Sequence, residues 1–366
     1  MFFKNKANKS NDPLANPDFK RPGLFENLGE ALFGFKRPLL CAQVEVSSAC
    51  MGKCDYCPHT TQAETWRTRH MSPEIFAGLW PLFKLCQRVH LQGWGEPLLH
   101  PRFFEFAHLA KKAGCHVSTT SSGLLMNELI AEKIMAGDLD LVAFSLAGTD
   151  AKSNAARVKA DFAQVCKNVK FLNGQRKKEA KKLELHLAYI LLAEQLEAVR
   201  KLPELMADLG VDAAVISTLD YLAKGEDRGR AFYPEEEKKI AQAREILNEV
   251  SARAAANGQQ VHFALPGNKY TRHENGCREN VRKTLYIDAE GAVSPCVYLN
   301  VPNSESNEKK RVFGNVRQEK ILNIWKKEEF KKFRSALING EPDPVCLNCP
   351  KRLEVLEEKR AIGQED

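Results

Sequence analysis

Between Cys41 and about Gly258 the chain alternates short apolar, β-branched runs with segments of helical spacing. That alternation narrows the possible folds more than any other feature. The strand-like runs are "CAQVEV" (41–46), "RVHLQ" (88–92), "CHVSTT" (115–120), "DLVAFSL" (140–146), "LELHLAYIL" (183–191) and "DAAVIS" (212–217). Helical spacing fills 72–86, 101–114, 127–137, about 160–171, about 194–209 and 234–258. Ser72-Pro73 opens the first helix as a capping residue followed by a first-turn proline, and Gly114 closes the second. Six βα units in series imply a parallel sheet, and their number fits a barrel and a doubly wound sheet alike. No GxGxxG follows the first strand and no GxxxxGK[ST] occurs, so neither nucleotide motif is present. In barrel-type folds the chemistry gathers at the C-terminal ends of the strands.

After residue 260 the alternation stops. "TLYIDAEGAVSPCVYL" (284–299) reads as a hairpin turning at Glu290-Gly291, 302–311 as a polar loop, and 320–337 as an amphipathic helix. A length of 366 residues suits one large α/β domain with a small one. The expected divisions are an extension over 1–38 with a short helix near Leu24 to Phe33, a core over 39–260, a second region over 261–352, and a tail over 353–366. The net charge of +7 is mild, and runs such as Arg176-Lys177-Lys178 and Lys309-Lys310-Arg311 read as solvated turns and helix faces rather than a nucleic-acid footprint. No apolar run reaches the roughly 18 residues of a membrane span. The N-terminus lacks the apolar core and cleavage site of a secretory signal, so the expected location is cytoplasmic, without membrane or nucleic-acid partners. In a reducing compartment the eleven cysteines point away from disulfides and toward metal or redox chemistry.

Three of them stand in "SSACMGKCDYCPH" (47–59), spaced Cys50-x3-Cys54-x2-Cys57, just after the first strand. A structural zinc site normally has four ligands, and only His59, through a sharp bend, offers a fourth here. Three thiolates suit a [4Fe-4S] cluster with one iron open to a substrate or cofactor. Gly52 and Ala49 leave room for the loop to wrap it. Zinc, or buried and redox thiols, are the other readings of the spacing.

Cx3Cx2C with Tyr56 before the last cysteine, directly after the first strand of a βα series, resembles the radical S-adenosylmethionine superfamily. Other stretches fit in order at successive strand ends: "GWGEPLLHP" (93–101), "TTSSG" (119–123) and "FSLAG" (144–148). The resemblance covers about residues 39–260. It implies an α/β fold, a partial (β/α)6 TIM-like barrel, with S-adenosylmethionine and a [4Fe-4S] cluster at Cys50, Cys54 and Cys57. It also implies that Gly95, Glu96 and Pro97 receive the methionine amino group, that Ser145 reaches the ribose, and that Arg157 lies near the methionine carboxylate. The resemblance likewise gives Ser122 the third-strand contact, with "SSG" standing where the family commonly has asparagine–glycine.

Cys277, Cys296, Cys346 and Cys349 form a second set, whose four thiolates satisfy an all-cysteine zinc site or a fully ligated [4Fe-4S] cluster equally well by spacing. With "EGAVSPC", "FGNV" and "ILNIW", the set resembles the SPASM or Twitch extensions of radical enzymes, which implies a small C-terminal iron–sulfur domain. No cysteine follows Cys349, so the count supports one auxiliary cluster. Cys41, Cys86, Cys115 and Cys166 lack such spacing and read as packing residues. His90 and His186 are expected as satisfied core histidines or barrel-lining groups, and Trp94, His59, Arg67 and Arg69 as substrate-side candidates.

The resemblance implies a radical enzyme of oxidoreductase or maturase type: reductive cleavage of S-adenosylmethionine gives a 5′-deoxyadenosyl radical that takes a hydrogen atom from substrate. An electron donor such as flavodoxin or ferredoxin is the implied partner. The expected substrate is a peptide, protein or metalloenzyme maturation target. A small-molecule dehydrogenase is the alternative, and a non-catalytic iron–sulfur or zinc protein the alternative of another class.

Overall fold

A computed structural model describes residues 13–14, 37–220, 229–267, 276–302 and 309–353. The expected helix near Leu24 to Phe33, most of the extension and tail, and the middle of the 302–311 loop lie outside the described residues. Six parallel strands follow the sequence pattern: β1 Leu39–Val44, β2 Cys86–Leu91, β3 His116–Ser121, β4 Leu141–Leu146, β5 Glu184–Leu191 and β6 Ala213–Thr218. A seventh, β7 Gln260–Phe263, pairs parallel with β6 and so carries the sheet past the expected boundary at 260. Its four residues were too short and too polar to read as a strand.

The strands after residue 280 do not stand apart. β8 Thr284–Ile287 pairs parallel with the outer edge of β1, β9 Ala292–Ser294 pairs antiparallel with β8, and β10 Gly314–Asn315 with β9. The result is one ten-stranded sheet, β10-β9-β8-β1-β2-β3-β4-β5-β6-β7, whose edges among the described residues are β10 and β7. The hairpin turns as expected at Glu290-Gly291, where Gly291 takes φ +86°, a left-handed value that glycine adopts without a Cβ penalty.

Alternate strand residues point outward into the main apolar core, among them Val89 and Leu91 of β2, Val117 of β3 and Leu185 and Leu187 of β5. A short α1, Pro58–Thr61, follows the cysteine loop, and further helices cover that face: α2 Pro73–Gly78, α3 Trp80–Phe83, α4 Phe103–Lys112, α5 Glu128–Ala136, α6 Phe162–Lys178, α7 Leu202–Leu209 and α8 Glu237–Ala256. Three expected helices are interrupted. The 72–86 segment divides at Leu79, since Pro81 in the first turn of α3 removes a backbone donor. The 194–209 segment begins as a 3-10 turn over Ala193–Lys201 and becomes α-helical at Leu202-Pro203. The 320–337 segment divides at extended Lys327 into α9 Ile321–Lys326 and α10 Glu328–Asn339. Ser72 and Asn127 cap α2 and α5, accepting from the N–H groups of Ile75 and Ile130. No described helix is long and apolar enough to cross a membrane.

Candidate active site

The loop from Ser47 to Cys57 leaves the C-terminal end of β1 and is fastened on two sides. The Lys53 and Asp55 N–H groups donate to the carbonyls of Val158 and Ala156 (2.9 and 3.0 Å). On the other side the Glu96 N–H donates to the Ala49 carbonyl at 2.7 Å. Gly95 makes that second approach possible, because a Cβ there would overlap the Ser47 carbonyl oxygen and lie 2.6 Å from that of Ala49. Gly95→Ala should therefore lower Tm and cost on the order of 1–3 kcal/mol, read by thermal unfolding; an unchanged Tm would contradict this contact.

Cys50, Cys54 and Cys57 open onto a cavity of about 460 Å³ at the C-terminal ends of the strands. Gly52 sits inside the loop, where a Cβ would stand 3.6 Å from the Cys50 sulfur and 4.0 Å from that of Cys54. The bare backbone leaves space beside the sulfurs. Burial pushes the Cys57 thiol up to about 12, so a thiolate here calls for a positive partner such as iron. The donor set and the cradle thus fit a thiolate-bound cluster.

Tyr56, Gly95, Glu96, Ser122, Ser145 and Arg157 share this cavity wall, whereas Pro97 stands behind it and begins a 3-10 turn over Pro97–Leu99. The Glu96 side chain is 2% exposed and already engaged: Oε1 accepts from the Leu98 N–H (3.2 Å) and Oε2 from the Ser122 N–H (2.7 Å). It locks the β2 loop to the β3 loop. Arg157 is 8% exposed and donates to the Tyr56 hydroxyl (3.3 Å). Its Nε has no hydrogen-bond partner, and no described carboxylate pairs with the guanidinium. Burial works against its charge, but the neighbouring Tyr56, Cys54 and Cys50 hold it protonated.

The other candidates separate. Trp94 lines the cavity and donates from Nε1 to the Val297 carbonyl (3.2 Å). His59 is buried against Trp66, with ring centroids 5.1 Å apart. Arg67 and Arg69 lie on the exposed rim beside Glu290. His90 is held by Ser118 (2.8 Å) and lines the lumen, so it is both satisfied and barrel-lining, while His186 is buried beside Glu184.

Cys277, Cys296, Cys346 and Cys349 open together onto a second cavity of about 560 Å³. Phe333, Leu337 and Leu299 pack around them. The Arg278 N–H donates to the Lys351 carbonyl (2.7 Å), tying the first cysteine segment to the last. Arg311 grips Asp343 through two 2.9 Å bonds, and Asp343 in turn accepts from the Val345 N–H ahead of Cys346. Burial raises the Cys277 and Cys346 thiols to about 12. Among the described residues no three His, Cys, Asp or Glu side chains converge on the position of a single metal ion.

Four residues that sequence reading did not single out line both cavities: Asp220, Glu279, Tyr298 and Lys351. Lys351 Nζ lies 2.8 Å from Asp220 and 3.4 Å from Glu279, nearly buried, and 5.6 Å from the Tyr298 ring centre. Trp94 meets Tyr298 edge-on at 6.1 Å. The only sequence signals were the place of Asp220 just past β6 and of Lys351 beside Cys349.

Glu45, 1% exposed, sits where β1 meets β8 and accepts from the Trp94 N–H (2.7 Å). Burial raises its carboxyl from 4.5 to about 7. The folded chain keeps this proton up to about pH 7, and the unfolded chain releases it near 4.5. The group's stabilisation is complete below the lower value and lost as pH rises through the upper one. Glu45→Gln should therefore gain on the parent by on the order of 1–3 kcal/mol between about pH 5 and 8, read from Tm against pH; a constant difference would contradict it.

Comparison with known proteins agrees with this arrangement. Residues 44–183 match the model of the radical SAM superfamily, and residues 277–350 that of SPASM, an iron–sulfur cluster-binding domain. The chain is 26% identical over 327 residues to the tungsten-containing aldehyde ferredoxin oxidoreductase cofactor-modifying protein of Pyrococcus furiosus, covering 84% of this chain and 86% of that one. It is 23% identical to the PqqA peptide cyclase of Granulibacter bethesdensis, covering 84% and 79%. The fold superposes on Streptococcus suis SuiB bound to S-adenosylmethionine with a TM-score of 0.61 at 15% identity, covering 86% of this chain and 71% of SuiB. The chain is thus a member of the radical SAM superfamily, an iron–sulfur enzyme that carries a SPASM domain.

Proposed function

We propose that the chain is a radical SAM maturase that oxidises a peptide or protein, with the substrate held between the two cysteine-lined cavities. The observation that carries this reading is their common wall of Asp220, Glu279, Tyr298 and Lys351. A group lodged there faces Cys50, Cys54 and Cys57 on one side and Cys277, Cys296, Cys346 and Cys349 on the other. The core through about residue 260, extended by β7, holds the first set, and the region through about residue 352 holds the second.

In this reading Cys50, Cys54 and Cys57 hold a [4Fe-4S] cluster, and the other four cysteines hold one auxiliary [4Fe-4S] cluster. When bound, the first cluster supplies the electron that cleaves S-adenosylmethionine to methionine and a 5′-deoxyadenosyl radical, which takes a hydrogen atom from substrate. The chain's own residues bind and orient. Arg157, buried with no described carboxylate beside it, is suited to the methionine carboxylate. The backbone of Gly95 and Glu96 faces the amino group, and Ser145 the ribose. Glu96 and Ser122 act together, the carboxylate fixing the β3 loop at the cofactor's edge. Tyr56 positions the Arg157 guanidinium. Trp94, packed against Tyr298, closes the cavity and excludes water.

Two relatives support the substrate class by their names, one a peptide cyclase and the other a cofactor-modifying protein. The test is anaerobic incubation of the reconstituted protein with S-adenosylmethionine and the peptides or proteins encoded beside its gene. A mass loss of two hydrogen atoms in one of them is the expected result. Loss from a small molecule, with none from any polypeptide, would replace this reading by the dehydrogenase.

A further inference from the structure

The proposed chemistry consumes one electron for each S-adenosylmethionine cleaved, so an outside reductant must approach the sulfurs of Cys50, Cys54 and Cys57. The loop that carries them also has an outward face. Gly52 is buried beside two of the sulfurs, yet its neighbour Met51 is 42% exposed. Next to it, across the Lys53–Val158 backbone bond, Val158 is 45% exposed. Large apolar side chains this exposed, paired on adjoining segments, mark contact surfaces more often than isolated ones do.

The same place carries positive charge. Lys53 is half-exposed and Lys159 exposed, and no described carboxylate pairs with either. The acid within the loop, Asp55, is taken by Arg230 at 2.9 Å. Val158 and Lys159 are held outward by a tight turn in which the Ala160 N–H donates to the Arg157 carbonyl (2.9 Å). Lys159 adopts φ +63° there, a left-handed conformation that side-chain-bearing residues seldom take. Buried Arg157 anchors the start of the turn, so the display is fixed from within.

Resting on the assignment of the first cluster to Cys50, Cys54 and Cys57, we propose that Met51, Lys53, Val158 and Lys159 form the docking face for a small acidic electron-carrier protein. The carrier is oxidised by one electron and the cluster reduced by one, with no bond made or broken. Redox encounters of this kind bury under about 1,200 Å², so a compact patch suffices. Its charge selects an acidic partner and speeds the encounter. A second copy of this chain, docking patch to patch, would meet its own positive charge.

The test compares two reductants on reconstituted holoenzyme, reading 5′-deoxyadenosine: dithionite, a small ion that needs no docking, and a reduced flavodoxin. The double variant Val158→Glu with Lys159→Glu should lose about tenfold or more of flavodoxin-driven cleavage while dithionite-driven cleavage stays within about twofold. Raising salt from about 50 to 300 mM should slow the parent with flavodoxin and leave its dithionite rate unchanged. Lys159→Gly removes the charge and suits the backbone, so it should fold as well as the parent and still slow the flavodoxin reaction. An unchanged flavodoxin rate in the double variant, or an equal fall with both reductants, overturns the docking face. Absence of cleavage in the parent with dithionite would instead overturn the cluster assignment on which the proposal rests.

Discussion

Replacing any one of Cys50, Cys54 and Cys57 with alanine is expected to lower 5′-deoxyadenosine formation by at least ~100-fold, since loss of a direct ligand exceeds the 10–100-fold typical of outer partners. The argument is one of count. Three thiols open onto the cavity, and His59 is turned away against Trp66. No replacement donor stands in the described loop, so two thiolates would be left to hold a group that needs three. Bound iron should fall by about four per chain, while the auxiliary set keeps its own. Far-UV circular dichroism should be unchanged, because the loop's fastenings to Val158, Ala156 and Glu96 are made by backbone groups. Cleavage retained in the Cys54→Ala variant would remove these cysteines from the chemistry.

Replacing Cys346 and Cys349 together should give the opposite pattern: S-adenosylmethionine is still cleaved, and product formation falls by ~100-fold or more. Cys50, Cys54, Cys57 and Arg157 all stand on the other side of the shared wall and do not depend on the second cavity. Four thiolates would leave a cluster held there no open iron for substrate, so it would serve to accept the electron left after hydrogen abstraction. Without it the substrate radical has no outlet, and uncoupled 5′-deoxyadenosine should accumulate. Product formed at the parental rate would show that the second set serves structure alone.

The six βα units were legible because local physics speaks there: β-branched runs, the Ser72 cap, and glycine at a helix end. The first cysteine set was legible because its members lie within eight positions. Features that depend on distant partners were not. Nothing near Thr284 signals that β8 will pair with β1 some 240 residues earlier. Nothing local signals that Lys351 will meet Asp220 in a wall between two cavities. The breaks at Leu79 and Leu202 did have local signs in Pro81 and Pro203, but helical periodicity spans both prolines and hid them. Glu96 shows the limit for single residues. Its motif points to the cofactor, whereas its carboxylate is occupied by the N–H groups of Leu98 and Ser122 and fixes the β3 loop.

The most direct test is anaerobic reconstitution with iron and sulfide, followed by reduction with dithionite in the presence of S-adenosylmethionine. The predicted result is about eight irons per chain, four for each set of cysteines, together with 5′-deoxyadenosine and methionine in equal amounts. About four irons, or zinc at the second set, would contradict the auxiliary cluster, and S-adenosylmethionine left intact by the reduced protein would contradict the account as a whole.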